Sequence, residues 1–284
     1  MAAFAAFVVL VTYVLGNVLG FGPGGVGLAL ILAGLVSFGS YYWGDKIVLT
    51  VSGARSANRE TDFDFYTVAE NLALGAGLPK PRLYVIEEQA LNAFATGLDP
   101  EHAVICTTRG LLNNLERSEL EGVLAHELSH IRNYDTRLMS IVAILVGMII
   151  LLSDWFTRSL WWGRRSGDRE ERENLGAIFF LLAVIFAFLS PLIAQLIQLA
   201  ISRRREFLAD SSAALLTHYP EGLAKALEKL AADPRPLATA TGATAHLFIV
   251  DPLKGRNIAG KIANFFNTHP PVAEMIKALR QLEV

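Results

Sequence analysis

The chain has little of what would staple a small secreted domain or draw it to nucleic acid. A single cysteine, Cys106, in 284 residues excludes a disulfide framework and a cysteine-built zinc ribbon, and its simplest role is that of a small buried hydrophobe. Basic residues number 25 against 27 acidic ones, so there is no positive field for phosphates and nucleic acid is excluded as a partner. Charge is missing altogether from Met1 to Gly44, where no Asp, Glu, Lys, Arg or His occurs. What is abundant is apolar: 52% hydrophobic residues and a mean hydropathy of +0.39 exclude a disordered chain.

The apolar excess is concentrated in blocks. Residues 1–44, broken only by Gly20-Phe-Gly-Pro-Gly-Gly25, read as a transmembrane hairpin; a cleavable signal peptide would need a basic start and a small-x-small cleavage site, and neither precedes the second half. Two further apolar segments, Leu138 to Leu152 and Ala177 to Ile201, make about four transmembrane helices, the third being short enough to pass for a buried core helix. Between them, residues 154–175 hold five arginines, five acids and Trp155, Trp161 and Trp162, which suits a polar loop with interfacial aromatics. Residues 45–137 and 202–284 then form one split polar domain. Lys46, Arg132, Arg137, Arg203, Arg204 and Arg205 flank the spans on its side, which the positive-inside rule makes cytoplasmic, although the arginines of the 154–175 loop weaken that vote. The stretch from Asp233 to Gly260, rich in Pro, Thr, Ala and Gly, reads as a long surface loop able to act as a lid.

Chemistry is concentrated around Ser118-Glu-Leu-Glu-Gly-Val-Leu-Ala-His-Glu-Leu-Ser-His130. Ser118 and Glu121 have the spacing of a capping box, so a helix is expected to begin there. On it His126 and His130 stand one turn apart on one face, able to share one zinc ion per chain, with Glu127 placed to act on water held there. A third ligand is required. His102, His218, His246 and His269 are candidates, as is a carboxylate in Glu206-Phe-Leu-Ala-Asp210, where Glu206 could ligate while Asp210 accepts the outer N–H of a ligand histidine. That acidic pair could equally be a solvated stripe facing the neighbouring arginines. Short strands are expected at Arg82–Ile86, at Ala93–Thr96 and at Ala103–Thr107. Of these, an edge formed by Asn92, Ala93, Phe94, Ala95 and Thr96 could align an extended substrate by backbone hydrogen bonds.

These residues resemble the HtpX-type membrane zinc endopeptidases, relatives of the CAAX prenyl-protein proteases. The resemblance covers nearly the whole chain: the apolar hairpin, Leu91-Asn-Ala-Phe-Ala-Thr-Gly97, His126-Glu-Leu-Ser-His130, Glu206-Phe-Leu-Ala-Asp210, His246-Leu-Phe-Ile-Val-Asp-Pro252 and Thr268-His-Pro-Pro271. It implies a gluzincin fold, mainly α with a small β-sheet, and Glu206 as the third zinc ligand. It also supports the substrate role of the strand at 92–96.

The expected activity is peptide-bond hydrolysis with Glu127 as general base and acid, and His269 as a candidate donor to the developing oxyanion. Measured along continuous helices, His130 and Glu206 lie about 12 Å and 8 Å from the third and fourth spans, which places the site at the cytoplasmic surface of a cell (inner) membrane rather than inside it. The expected partners are the lipid bilayer and unfolded or damaged membrane proteins, in the manner of membrane quality control. A transporter is disfavoured because no charged side chain lies within a span. A prenyl-peptide protease and a catalytically silent zinc scaffold are the alternatives, the second giving no reason for Glu127.

Overall fold

The computed structural model describes residues 43–140, 142, 203–242, 244–254 and 270–282. The expected hairpin, most of the third and fourth spans, the 154–175 loop and His269 lie outside them. Among the described residues no helix is long and apolar enough to cross a membrane. They belong to one compact unit built from Trp43–Gly147 and Leu196–Val284, mainly helical with one small sheet.

The sheet has four strands, β1 (Arg55–Ser56), β2 (Arg82–Ile86), β3 (Ala93–Thr96) and β4 (Val104–Thr108), in the order β1-β2-β4-β3. β2 runs parallel to β4, while β1 and β3 are antiparallel to their neighbours. β4 is the central strand and is buried throughout, as its Val-Ile-Cys-Thr-Thr run requires. It begins and ends one residue later than the sequence pattern suggests. β3 is an edge strand, as expected. It stops at Gly97, whose φ of 126° suits glycine and where a Cβ would meet the His102 carbonyl at 2.8 Å.

Beside the sheet the unit contains the helices α1 (Phe63–Ala76), α2 (Arg109–Asn114), α3 (Arg117–Arg132), α4 (Arg203–Thr217), α5 (Pro220–Ala232) and α6 (Val272–Leu279). α3 is central, packed against α1, α4, α5 and β3, and every residue from Gly122 to Ile131 is buried. Its start differs from the expected capping box at Ser118. Glu116 is the N-cap and Glu119 reaches back to accept its N–H at 2.8 Å. A tertiary contact chooses this frame: the same Glu119 carboxylate, almost fully buried, takes Lys229 Nζ of α5 at 2.7 Å. α3 and α5 approach closely because each has a glycine at the crossing. A Cβ on Gly122 would lie 2.6 Å from Leu223 N, and one on Gly222 would lie 2.5 Å from the Ser118 carbonyl.

The segment expected to be a lid packs instead as a strap across the open side of β3. Leu237, Ala245, His246, Leu247, Phe248, Ile249 and Val250 are all buried. Glu88 accepts the backbone N–H of Ala238 at 2.6 Å and of Thr239 at 2.9 Å, Ile249 N donates to Ala93 O at 3.2 Å, and His246 Nε2 donates to Met139 O at 3.1 Å. The Pro-, Thr- and Ala-rich composition masked the continuous buried run 244–250 that carries this docking, with Phe248 against Phe94 at 5.0 Å between ring centroids.

Candidate metal centre

One turn of α3 places His126 and His130 on the same buried face, 1% and 3% exposed, with their Nε2 atoms 3.1 Å apart and rings edge to face. α4 brings Glu206, fully buried, against both: Oε2 stands 3.7 Å from His126 Nε2 and Oε1 3.8 Å from His130 Nε2. The three side chains each offer a ligand atom, all within 4.8 Å of one another, and could hold a metal ion. His102, exposed, instead pairs with Asp99, and His246 donates to Met139 O in the strap. The described residues thus bring Glu206, and neither of those two histidines, to the pair.

The outer nitrogens explain which way the rings present themselves. His126 Nδ1–H donates to Asp210 Oδ1 at 3.0 Å, and His130 Nδ1–H donates to Asp135 Oδ2 at 3.2 Å. With both Nδ1 atoms donating outward, both Nε2 atoms face each other and a carboxylate, an arrangement that calls for positive charge between them, a proton on Nε2 or a metal ion. Ligand atoms about 2.0–2.1 Å from a tetrahedral ion would sit roughly 3.3–3.4 Å apart; the two Nε2 atoms at 3.1 Å and Glu206 Oε2 at 3.7 Å from His126 Nε2 are near that spacing. The electrostatics agree. Burial alone would lower the pKa of His126, but the Asp210 hydrogen bond and charge, with the charges of Glu206 and Glu127, raise it to about 9, so the pocket favours positive charge at this point. The donor set and its surroundings therefore fit a divalent cation.

Glu127 is buried beside His126, and its charge also acts on Cys106 of β4. That thiol is pushed far up, chiefly by burial, and is inert. Asp210 occupies the place expected of it, 2% exposed and bonded to a ring of the pair. Asn92 to Thr96 lie on the edge strand beside α3, but less of that edge is open than the sequence implies. The Asn92 amide is engaged by the strap, donating from Nδ2 to Val250 O at 2.9 Å, Ala93 O accepts from Ile249, and Thr96 Oγ1 bonds Ser140 Oγ at 2.9 Å. Phe94 packs on Phe248. By the alternation of an antiparallel ladder, Ala95 turns its N–H and C=O to the same outer side as Ala93.

Two residues have no part at the site in the sequence reading: Asp135, and Arg205, which reads there only as a basic residue flanking a span and which bonds Asp135 Oδ1 from Nη1 at 2.9 Å. The missed signal is a helix break. α3 does not run on toward the third apolar segment but ends at Arg132, Tyr134 takes φ 59°, and a new helix starts at residue 135. The distance of about 12 Å along one straight helix from His130 to the third segment is therefore corrected: two helices meeting at a turn separate them.

The model of the family described as peptidase family M48 matches residues 60–283. A protein named Protease HtpX homolog from Caldanaerobacter subterraneus subsp. tengcongensis is 48% identical over 246 residues, 86% of this chain and 80% of that one. A protein of the same name from Pyrococcus furiosus is 42% identical over 284 residues, 99% of this chain and 93% of its own. Among solved structures, that of S. mikatae Ste24p aligns with a TM-score of 0.46 and 18% identity over 98% of this chain and 63% of that one, a likeness too loose to bear on function.

Proposed function

The chain belongs to peptidase family M48 and is a metalloprotease, and from that premise we propose that it is a zinc-dependent endopeptidase at the cytoplasmic face of a cell membrane, cutting unfolded or damaged membrane proteins. The convergence of His126, His130 and Glu206 in one buried cluster carries this reading. Two imidazoles and a carboxylate would hold a single zinc and leave a fourth position for water. When bound, the ion supplies Lewis acidity to that water and to the scissile carbonyl.

The chain's own residues do the rest. Glu127 takes a proton from the attacking water as its oxygen adds to the carbonyl carbon, then gives a proton to the amine nitrogen as the C–N bond breaks. Asp210 keeps the His126 ring in the tautomer that turns Nε2 to the ion. The peptide groups of Ala95 pair with an extended stretch of substrate, which selects for unfolded chain more than for side-chain identity. The membrane setting rests on the uncharged runs at 1–44 and 138–152, on the run at 177–201, and on the basic residues that flank them.

The test uses the full chain in detergent micelles. Glu127→Gln should retain one zinc and lose cleavage of an unfolded membrane protein. Cleavage that persists in that variant refutes the role of Glu127. A wild type that cuts prenylated peptides and leaves unfolded membrane proteins intact replaces the substrate class.

A further inference from the structure

His130 is oriented by a carboxylate that no spacing rule points to. Its Nδ1–H donates to one oxygen of Asp135, and the other oxygen accepts from Arg205, the residue immediately before Glu206. Asp135 is 5% exposed at its side chain while Arg205 is 35% exposed, so the carboxylate is shielded and its bond to His130 forms away from bulk water. The backbone is shaped to deliver it. Tyr134 takes φ 59°, a left-handed conformation that non-glycine residues rarely adopt, while its ring is half exposed and gains little from packing. That turn ends α3 and starts the next helix with the Asp135 carboxylate against His130.

We propose that Asp135 and Arg205 are a positioning pair for the metal centre. Asp135 fixes the ring angle and tautomer of His130, as Asp210 does for His126, so each imidazole has its own carboxylate. Arg205 restrains that carboxylate from α4, and the ion pair thereby ties the helix of Glu206 to the turn that follows the helix of the two histidines. The inference rests on the zinc-binding reading proposed above.

The test is zinc affinity of the full chain in detergent, titrated against a competing chelator. Melting temperature is recorded for the chelator-treated and zinc-loaded forms. Asp135→Ala should weaken zinc binding about 10–100-fold and shrink the rise in melting temperature that zinc produces. Arg205→Gln should weaken binding less, and its effect should largely disappear in the Asp135→Ala background. Should Asp135→Ala fail to fold, the isosteric Asp135→Asn and Arg205→Gln carry the same measurement. A pair with only a structural task would lower the melting temperature of both forms equally and leave zinc affinity unchanged, and that result overturns the inference. A wild type that binds no zinc overturns instead the reading on which it rests.

Discussion

Substituting Gly122 with alanine should disturb the fold and the metal centre together. The added Cβ would meet Leu223 at 2.6 Å from its N, 2.7 Å from its Cα and 2.9 Å from its Cβ. Two of these three atoms are backbone, so relief requires α3 and α5 to move apart by several tenths of an ångström rather than a side chain to rotate. Overpacking of this kind costs about 1–3 kcal/mol. For a unit of this size each kcal/mol lowers the melting temperature by about 2–4 °C, so a cost near 2 kcal/mol predicts a fall of about 4–8 °C. His126 lies four residues on along the same helix, and a displaced α3 also shifts the ligand pair against Glu206 of α4, so zinc affinity should fall as well. Melting of the detergent-solubilised chain and a chelator competition measure the two effects. A variant that melts within a degree or so of wild type would refute the claim that this crossing has no room for a methyl group.

Two other expectations concern an ion-pair network at the end of β2 and the anchoring of the strap. Glu87 sits between Arg109 and Arg55, and the Arg109 hydrogen bond, against the upward push of burial, brings its pKa from 4.5 to about 2. Because the folded value lies below the unfolded one, the stabilisation is complete above pH 4.5 and is lost as pH falls toward about 2. Wild type should therefore lose melting temperature more steeply than Glu87→Gln across that window, and parallel curves would show that the carboxylate adds nothing. Asn92→Ala removes two bonds to Val250, one from Nδ2 to its carbonyl at 2.9 Å and one from its N–H to Oδ1 at 3.4 Å. Leaving those buried groups unpaired costs about 1–3 kcal/mol and should speed limited proteolysis within residues 237–254. An unchanged cleavage pattern would mean that the strap is held by other contacts.

Much of the site was legible because its chemistry is local. His126 and His130 need only one helical turn to share a face, and Glu206 and Asp210 repeat that spacing on another helix. The three longer strands were legible from their β-branched and apolar runs, and the edge position of β3 proved correct. The strap is irregular, as its loop composition implies, but it is buried rather than on the surface, because that burial comes from partners far away in sequence, Glu88, Asn92 and Phe94. The start of α3 was misread by two residues because Ser118 and Glu121 fit a local rule as well as Glu116 and Glu119 do. Only Lys229, 110 residues away, distinguishes them.

By itself, then, the sequence determined the chemistry of the two-histidine helix, the class of fold and the placing of its apolar runs, since each depends on periodicity or on spacing within a turn or two. Tertiary structure decided what meets that helix. It brought Glu206, and neither His102 nor His246, to the histidine pair, set Asp135 against His130, and closed most of the β3 edge with the chain's own strap. The physical reason is range. A hydrogen bond or a shared ion requires atoms within a few ångströms: Glu206 reaches the two histidines from about eighty positions away through the packing of α3 against α4, and Asp135 reaches His130 through the left-handed turn at Tyr134.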